Sequence, residues 1–174
     1  DLSGHASYGY GDYDDSINGL YYPHEGFKIE TEYKHLYFAA SEKPDSYAVT
    51  EDSFIGYDGL SRPRGMQAEK LVSVGSTFQD YYCGALRYEI DLGEGEEREF
   101  CFAVGTERAY ADCVTSAKEY VSPTYFEKSL AEVLAQNMRM AEVFRAESPD
   151  EYLDLQTNIW FKRQLSLGKT WGRV

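Results

Sequence analysis

The sequence predicts a β + α protein, an antiparallel β-sandwich followed by linker helices. Three observations predict it. Residues 1 to about 105 fall into short runs that alternate apolar and polar side chains, separated by turn residues. Residues 106 to 168 switch to apolar steps of three and four, the helical period. Tyrosine, with 16 copies in 174 residues, suits half-buried strands, where the ring packs and the hydroxyl stays wet.

Each element has its own signal. In "GLYYPHEGFKIETEYKHLYFAAS", Phe27, Ile29, Thr31 and Tyr33 share one face and Lys28, Glu30 and Glu32 the other. That is a strand with one wet side, and Pro23, Gly26 and the Lys34–His35 region supply its turns. "DYYCGALRYEIDL" carries Tyr82, Ala85, Leu86, Tyr88, Ile90 and Leu92 as its apolar set and runs into "GEGEE", whose Gly93 and Gly95 permit a tight reversal. "REFCFAVG" returns as a buried strand, Phe100 to Val104, so the three pieces predict a hairpin. Short strands with no helix between them point to an antiparallel sandwich rather than a parallel sheet.

The helical part has three segments. "TERAYADCVTSAKEYV" opens on an imperfect capping box at Thr106. "SPTYFEKSLAEVLAQNMRMAEVFRA" starts with Ser122 as N-cap and Pro123 in the first turn, and stripes Phe126, Leu130, Val133, Leu134, Met138, Ala141 and Val143 along one side. "SPDEYLDLQTNIWFKRQLSLG" repeats the device. Ser148 caps, Pro149 takes the first turn, Asp150 and Glu151 favour the positive end, and Gly168 closes the helix. The expected divisions are a sandwich over 1–105, linker helices over 106–147, and a third segment over 148–174.

Charge and chemistry exclude several functions. The net charge is −13, while the last sixteen residues carry +4. So acidic a surface repels phosphate backbones, which argues against a nucleic-acid partner. No apolar run is long enough to cross a bilayer, and no membrane partner is expected. Cys83, Cys101 and Cys113 are odd in number and form no paired ligand spacing, so reduced, buried thiols in a cytoplasmic protein are expected. His5, His24 and His35 lack zinc spacing. In "GDYDDSING", Asp12, Asp14 and Ser16 follow calcium-loop positions, but Ile17 stands where glycine is required, so a solvated turn is preferred. No phosphate-cradling loop, nucleophile elbow or distinct carboxylate pair emerges, and no metal site or cofactor is expected.

The terminal "NIWFKRQLSLGKTWGRV" holds both tryptophans, four basic residues and no acid. Its face through Leu153, Leu155, Ile159, Trp160 and Leu165 is broad enough to require a packing partner that these 174 positions do not supply.

"TEDSFIGYDGLSRPRGM", "VGSTFQDYYCGALRYEIDLGEGEEREFCFAVG" and "SPDEYLDLQTNIWFKRQLSLGKTWGRV" together resemble the inverting disaccharide phosphorylases of glycoside hydrolase family 94. Thr50, Asp52, Phe54, Ile55 and Gly56 are similar to a Thr-Asp-x-x-x-Phe-Leu-Gly-type segment of the family's sandwich. Residues Leu92 to Val104 are similar to its closing glycine hairpin. Asn158, Trp160, Gln164, Trp171, Gly172 and Arg173 follow its Asn-x-Trp…Gln…Trp-x-Arg order. The likeness covers most of residues 35–174, and "GDYDDSINGLYYPHEGF" looks most like the β-1,2-glucan-acting members.

The resemblance implies a galactose-mutarotase-like super-sandwich, incomplete in this chain, then linker helices and the first helix of an (α/α)6 barrel. The family's general acid, its Arg-Asp sugar motif and its phosphate-binding residues lie beyond that helix, so no catalytic residue is expected here. Gln164, Trp171 and Arg173 fall nearest the barrel mouth and are the candidate substrate-binding residues. The parent enzyme would use inorganic phosphate as co-substrate on a β-glucan or disaccharide. Its expected partners are the remainder of the parent enzyme and a second subunit, since in family dimers a sandwich loop can wall the neighbour's sugar site. The alternative is a stand-alone carbohydrate-binding β-sandwich with a helical oligomerisation arm.

Overall fold

The computed structural model describes residues 11–23, 35–73 and 81–171, with side chains to residue 168. The chain forms two compact units, Asp1–Phe126 and Glu127–Val174.

Two antiparallel sheets build the first unit. Strands β1 (Asp12–Asp14), β2 (Gly19–Pro23) and β3 (His35–Ala40) lie side by side, and β6 (Phe102–Glu107) pairs with the free edge of β3. Strands β4 (Ser46–Thr50) and β5 (Tyr82–Arg87) form the second sheet. The period of two then assigns the layers. Leu20 and Tyr22 of β2 meet Val49 of β4, with Tyr13, Leu36, Phe38, Tyr47, Tyr82 and Leu86 around them, and this is the core between the sheets. Tyr37 and Ala39 of β3 point the opposite way and pack with Ile17 against Cys113 and Ala117 of helix α2 (Tyr110–Tyr120). The four-stranded sheet is therefore covered by the small sheet on one face and by α2 on the other. That explains why "HLYFAA" is apolar at nearly every position. Gly105 of β6 lets the Tyr37 ring lie against the backbone, because a Cβ there would fall 2.5 Å from the tyrosine hydroxyl. Burial pushes Tyr37 up to about 12 and the Cys113 thiol up to about 11.

Several sequence expectations change. The stretch 82–107 is not a hairpin. Gly93 and Gly95 do form a turn, with the Glu96 N–H on the Gly93 carbonyl at 3.1 Å, but β5 pairs with β4 and β6 pairs with β3. The two arms therefore belong to different sheets. The return strand is not buried either: on β6 alternate residues are open, and Val104 is 70% exposed. His35 heads β3, and a four-residue helix, α1 (Glu51–Phe54), follows β4. All three cysteines are free, but only Cys113 is buried. The strand expected over 27–33 and the turn at Gly26 lie outside the described residues.

Helix α3 (Pro123–Glu142) starts as its sequence predicts, the Ser122 hydroxyl accepting the Tyr125 N–H at 3.1 Å. In the second unit, α4 (Glu151–Leu155) runs through a π-helical turn, Gln156–Trp160, into α5 (Phe161–Trp171). Its N-cap is Asp150, not Ser148. One Asp150 carboxylate oxygen accepts the N–H groups of Tyr152 and Leu153 at 2.9 and 3.2 Å, while the Ser148 hydroxyl accepts only the Asp150 N–H. A carboxylate at the first turn also meets the positive helix end, so it prevails over the hydroxyl. Gly168 does not end α5, which continues to Trp171. Asn158 ties the returning chain to the helix, accepting the Ala146 N–H and donating to the Ala146 carbonyl, both at 2.8 Å. The Lys162 ammonium donates to the Ala141 and Phe144 carbonyls at the end of α3, where a cation meets the negative helix end. Among the described residues, no helix is long and apolar enough to cross a membrane.

Candidate functional site

Two surface features of the first unit are candidates for a site. One is the loop after α1. Buried Thr50 caps the helix, its hydroxyl accepting the Ser53 N–H at 3.3 Å. Gly56 then takes φ 67°, the left-handed conformation that a helix stop favours, and its N–H reaches the Glu51 carbonyl at 3.2 Å. The chain returns when the Arg64 N–H bonds the Ile55 carbonyl at 3.1 Å. Between these points Arg62 holds Gln67 at 3.2 Å, and Tyr57 and Leu60 project into solvent. The motif Thr50–Gly56 is thus a cap and a stop that hold a shaped loop with an exposed aromatic ring.

The second feature is an open cleft of about 510 Å³ where β1, the β3–β4 connection and residues 70–73 converge, lined by Tyr13, Lys43, Asp45, Tyr47, Lys70 and Leu71 among others. Tyr13 and Tyr47 stack at 5.0 Å with 23° between their planes. The Lys43 ammonium lies 5.6 Å from the Tyr13 ring centre and 2.9 Å from Asp15. Burial raises both tyrosine hydroxyls above their ordinary range, Lys43 partly offsetting it at Tyr13. Around the corner, Tyr110 donates to Asp14 at 2.7 Å and Ser16 donates to its other oxygen at 2.6 Å. Burial alone would raise the Asp14 carboxyl, but these hydrogen bonds outweigh it and hold the group below its ordinary value. Asp12, Asp14 and Asp15 therefore spend oxygens on Tyr13, Ser16, Tyr110 and Lys43.

The residues singled out from the sequence fare unequally. Gln164 sits exposed on α5. Trp171 is the last residue of α5, and its side chain, like all of Arg173, lies outside the described residues. Asn158 braces the chain at Ala146. The tyrosines near Tyr8 to Tyr22 could stack on glucan by their sequence, but the Tyr13–Tyr47 cleft escapes sequence reasoning because its walls come from three separated segments.

A four-stranded sheet layered between a second sheet and a helix, with further helices following, defines the class as a β-sandwich domain that carries a helical extension. The sequence matches the model of "Glycosyl hydrolase 94, supersandwich domain" over residues 5–123, and the chain belongs to that family. It is similar to a cellobionic acid phosphorylase of Neurospora crassa, 30% identical over 129 residues, which is 74% of this chain and 16% of that protein. A solabiose phosphorylase of Paenibacillus borealis is 26% identical over 152 residues, 87% of this chain and 19% of the relative. A 3-O-beta-D-glucopyranosyl-beta-D-glucuronide phosphorylase of the same organism is 27% identical over 126 residues, 70% of this chain and 16% of the relative. The chain thus spans about a sixth to a fifth of the length of the curated relatives it matches.

Proposed function

We propose that this chain is the noncatalytic N-terminal part of an inverting glycoside phosphorylase acting on β-glucosides, and that it braces the catalytic barrel. The observation that carries the reading is the pairing of a matched supersandwich with helices whose apolar faces stay open. Leu130, Val133, Leu134, Met138, Leu153, Ile159, Trp160 and Leu165 are all exposed. The three relatives, all phosphorylases by name, support the reaction class. In that reaction, phosphate replaces the activated water of a hydrolase, attacks the anomeric carbon and releases an α-sugar 1-phosphate, while a carboxylic acid protonates the leaving oxygen. Those groups belong to the remainder of the enzyme. Gln164, Trp171 and Arg173 line its mouth. In a homodimer, the Gly56–Met66 loop offers Tyr57 and Leu60 as a wall for the neighbour's sugar site. The β-1,2-glucan linkage is the finer form of the proposal and rests on the opening "GDYDDSINGLYYPHEGF".

The test begins with the coding sequence downstream of Val174. A barrel is expected there, and phosphorolysis of a β-glucoside panel should require it, the present chain alone yielding no sugar 1-phosphate. A stop codon directly after Val174, or phosphorolysis by this chain alone, overturns the reading. The exposed helix faces also suit the second reading, a glucan-binding sandwich with an oligomerisation arm. That reading requires a defined oligomer of this chain by light scattering together with saturable glucan binding by calorimetry.

A further inference from the structure

We propose that the cleft between β1, the β3–β4 connection and residues 70–73 is a noncatalytic binding site for a neutral, β-linked oligoglucoside. The choice of ligand class rests on the phosphorylase reading; the geometry does not. Of the tyrosines described near the start of the chain, only Tyr13 lines this opening. Tyr22 is buried between the sheets, and Tyr21 is engaged by His35 at 2.5 Å and by the edge-on ring of Tyr110 at 5.0 Å. The Tyr13 hydroxyl is buried without a hydrogen-bond partner, so this phenol is anchored inward and its ring is what the cleft receives. Stacked on it is Tyr47, whose hydroxyl reaches Asp12 at 3.4 Å. Each stacked ring covers one face of the other, which leaves an outer face of the pair for the C–H face of a pyranose, and a volume of about 510 Å³ lies within the range of small-ligand sites.

Hydrogen-bonding groups stand at the rim. Ser46 accepts the Leu71 N–H at 3.1 Å and keeps its own proton to donate. Asp45 takes the Glu89 N–H at 2.6 Å on one oxygen and retains the other. Lys70 has no partner among the described residues. Lys43 covers Tyr13, but it and its partner Asp15 are 67% and 78% exposed. An ion pair this open to water is weakly held and can swing aside. Two lysines balance two aspartates here, in a chain whose net charge is −13, so the site suits an uncharged ligand and gives an anionic glycan no advantage.

Affinity electrophoresis of this chain tests the proposal, in native gels containing soluble β-1,2-glucan, a soluble β-1,4-glucan derivative, or dextran as the α-linked control. Relative mobility should fall at least twofold in one β-glucan and stay unchanged in dextran. Lys70→Ala and Tyr47→Ala should abolish the retardation, while Tyr152→Ala, an exposed ring on α4, should keep it. Tyr47 also packs against the core, so its variant counts only with a native circular dichroism spectrum; the exposed Lys70 decides alone if it does not fold. Absence of retardation in both β-glucans, equal retardation in dextran, or full retardation of Lys70→Ala overturns the site. Phosphorolysis by the complete polypeptide is scored separately. Phosphorolysis without retardation removes this site and leaves the enzyme reading standing, and the opposite result does the reverse.

Discussion

Leu20, Tyr37 and Val49 of the first unit are closed off from solvent, whereas in the second unit Trp160 remains 48% and Leu165 75% exposed. Both units come from sequence with clear apolar periodicity, so the difference lies in what is available to complete each face. A strand is covered once its sheet has a layer on each side, and the first unit supplies both layers to β2 and β3, although not to the outward residues of β6. An amphipathic helix needs neighbouring helices, and the second unit holds only the end of α3 against the α4–α5 run, fastened by Asn158 and Lys162. Its polar fastenings hold while its apolar face stays open to solvent.

Core truncation should show this contrast most strongly. Leu20→Ala is expected to destabilise the first unit by about 2–5 kcal/mol in urea unfolding, the range for a fully buried leucine. Leu165→Ala in the same chain should change stability by less than about 0.5 kcal/mol, as for an exposed position. In the complete polypeptide the Leu165 cost should rise to the core range if a further layer covers it. Equal costs for the two variants in the isolated chain would break the comparison.

Next in size is Gly19→Ala at the end of the β1–β2 turn. A Cβ there would sit 2.0 Å from the Phe38 carbonyl oxygen, a backbone atom fixed by strand pairing, and overpacking of that kind costs about 1–3 kcal/mol. A thermal melt unchanged by this substitution would contradict the β2–β3 register. The second unit's counterpart is polar. Asn158→Ala leaves the Ala146 N–H and carbonyl unpaired, and a loss of about 1–2 kcal/mol is expected for such partly buried groups. Hydrogen exchange at Ala146 reads it directly, and unchanged protection there would remove Asn158 from its role as a brace.

What the sequence makes legible follows the range of the forces involved. Ser122 with Pro123 and the turn at Gly93–Gly95 are decided within four or five residues, and the structure agrees. The choice between Ser148 and Asp150 as cap is also local, but two good acceptors compete, and the pattern alone ranks them wrongly. Gly168 reads as a stop only if the chain needs a left-handed residue there, and an exposed helix does not. Strand partnership is not local at all: β5 finds β4, 32 to 41 positions away in the register, and β6 finds β3, 62 to 72 positions away. β6 does alternate, but the strand that begins at Tyr82 ends at Arg87 with Ile90 and Leu92 exposed, and the hairpin is absent. The Tyr13–Tyr47 cleft is illegible for the same reason, since positions 13–15, 43–47 and 70–73 meet only after both sheets have formed.

The smallest expected effect is electrostatic and confined to the first unit. Asp14 has an ordinary value of 3.8, and its folded-state value is lower because the hydrogen bonds of Ser16 and Tyr110 outweigh burial. A depressed carboxyl binds protons more weakly in the folded than in the unfolded chain, so its contribution is fully present above about pH 5 and is lost as the pH falls through 3.8 towards the folded value. Tyr110→Phe deletes one of the two side-chain donors while keeping the ring that meets Tyr21 edge-on. The variant should therefore be destabilised by about 1 kcal/mol or less at pH 7, and by a smaller amount at pH 3, where Asp14 protonates in the unfolded chain. Because the second unit has no part in this network, hydrogen exchange at Ala146 should not respond to the substitution at either pH. A deficit that fails to shrink as the pH falls would mean that the Tyr110 hydroxyl does not act through the Asp14 charge.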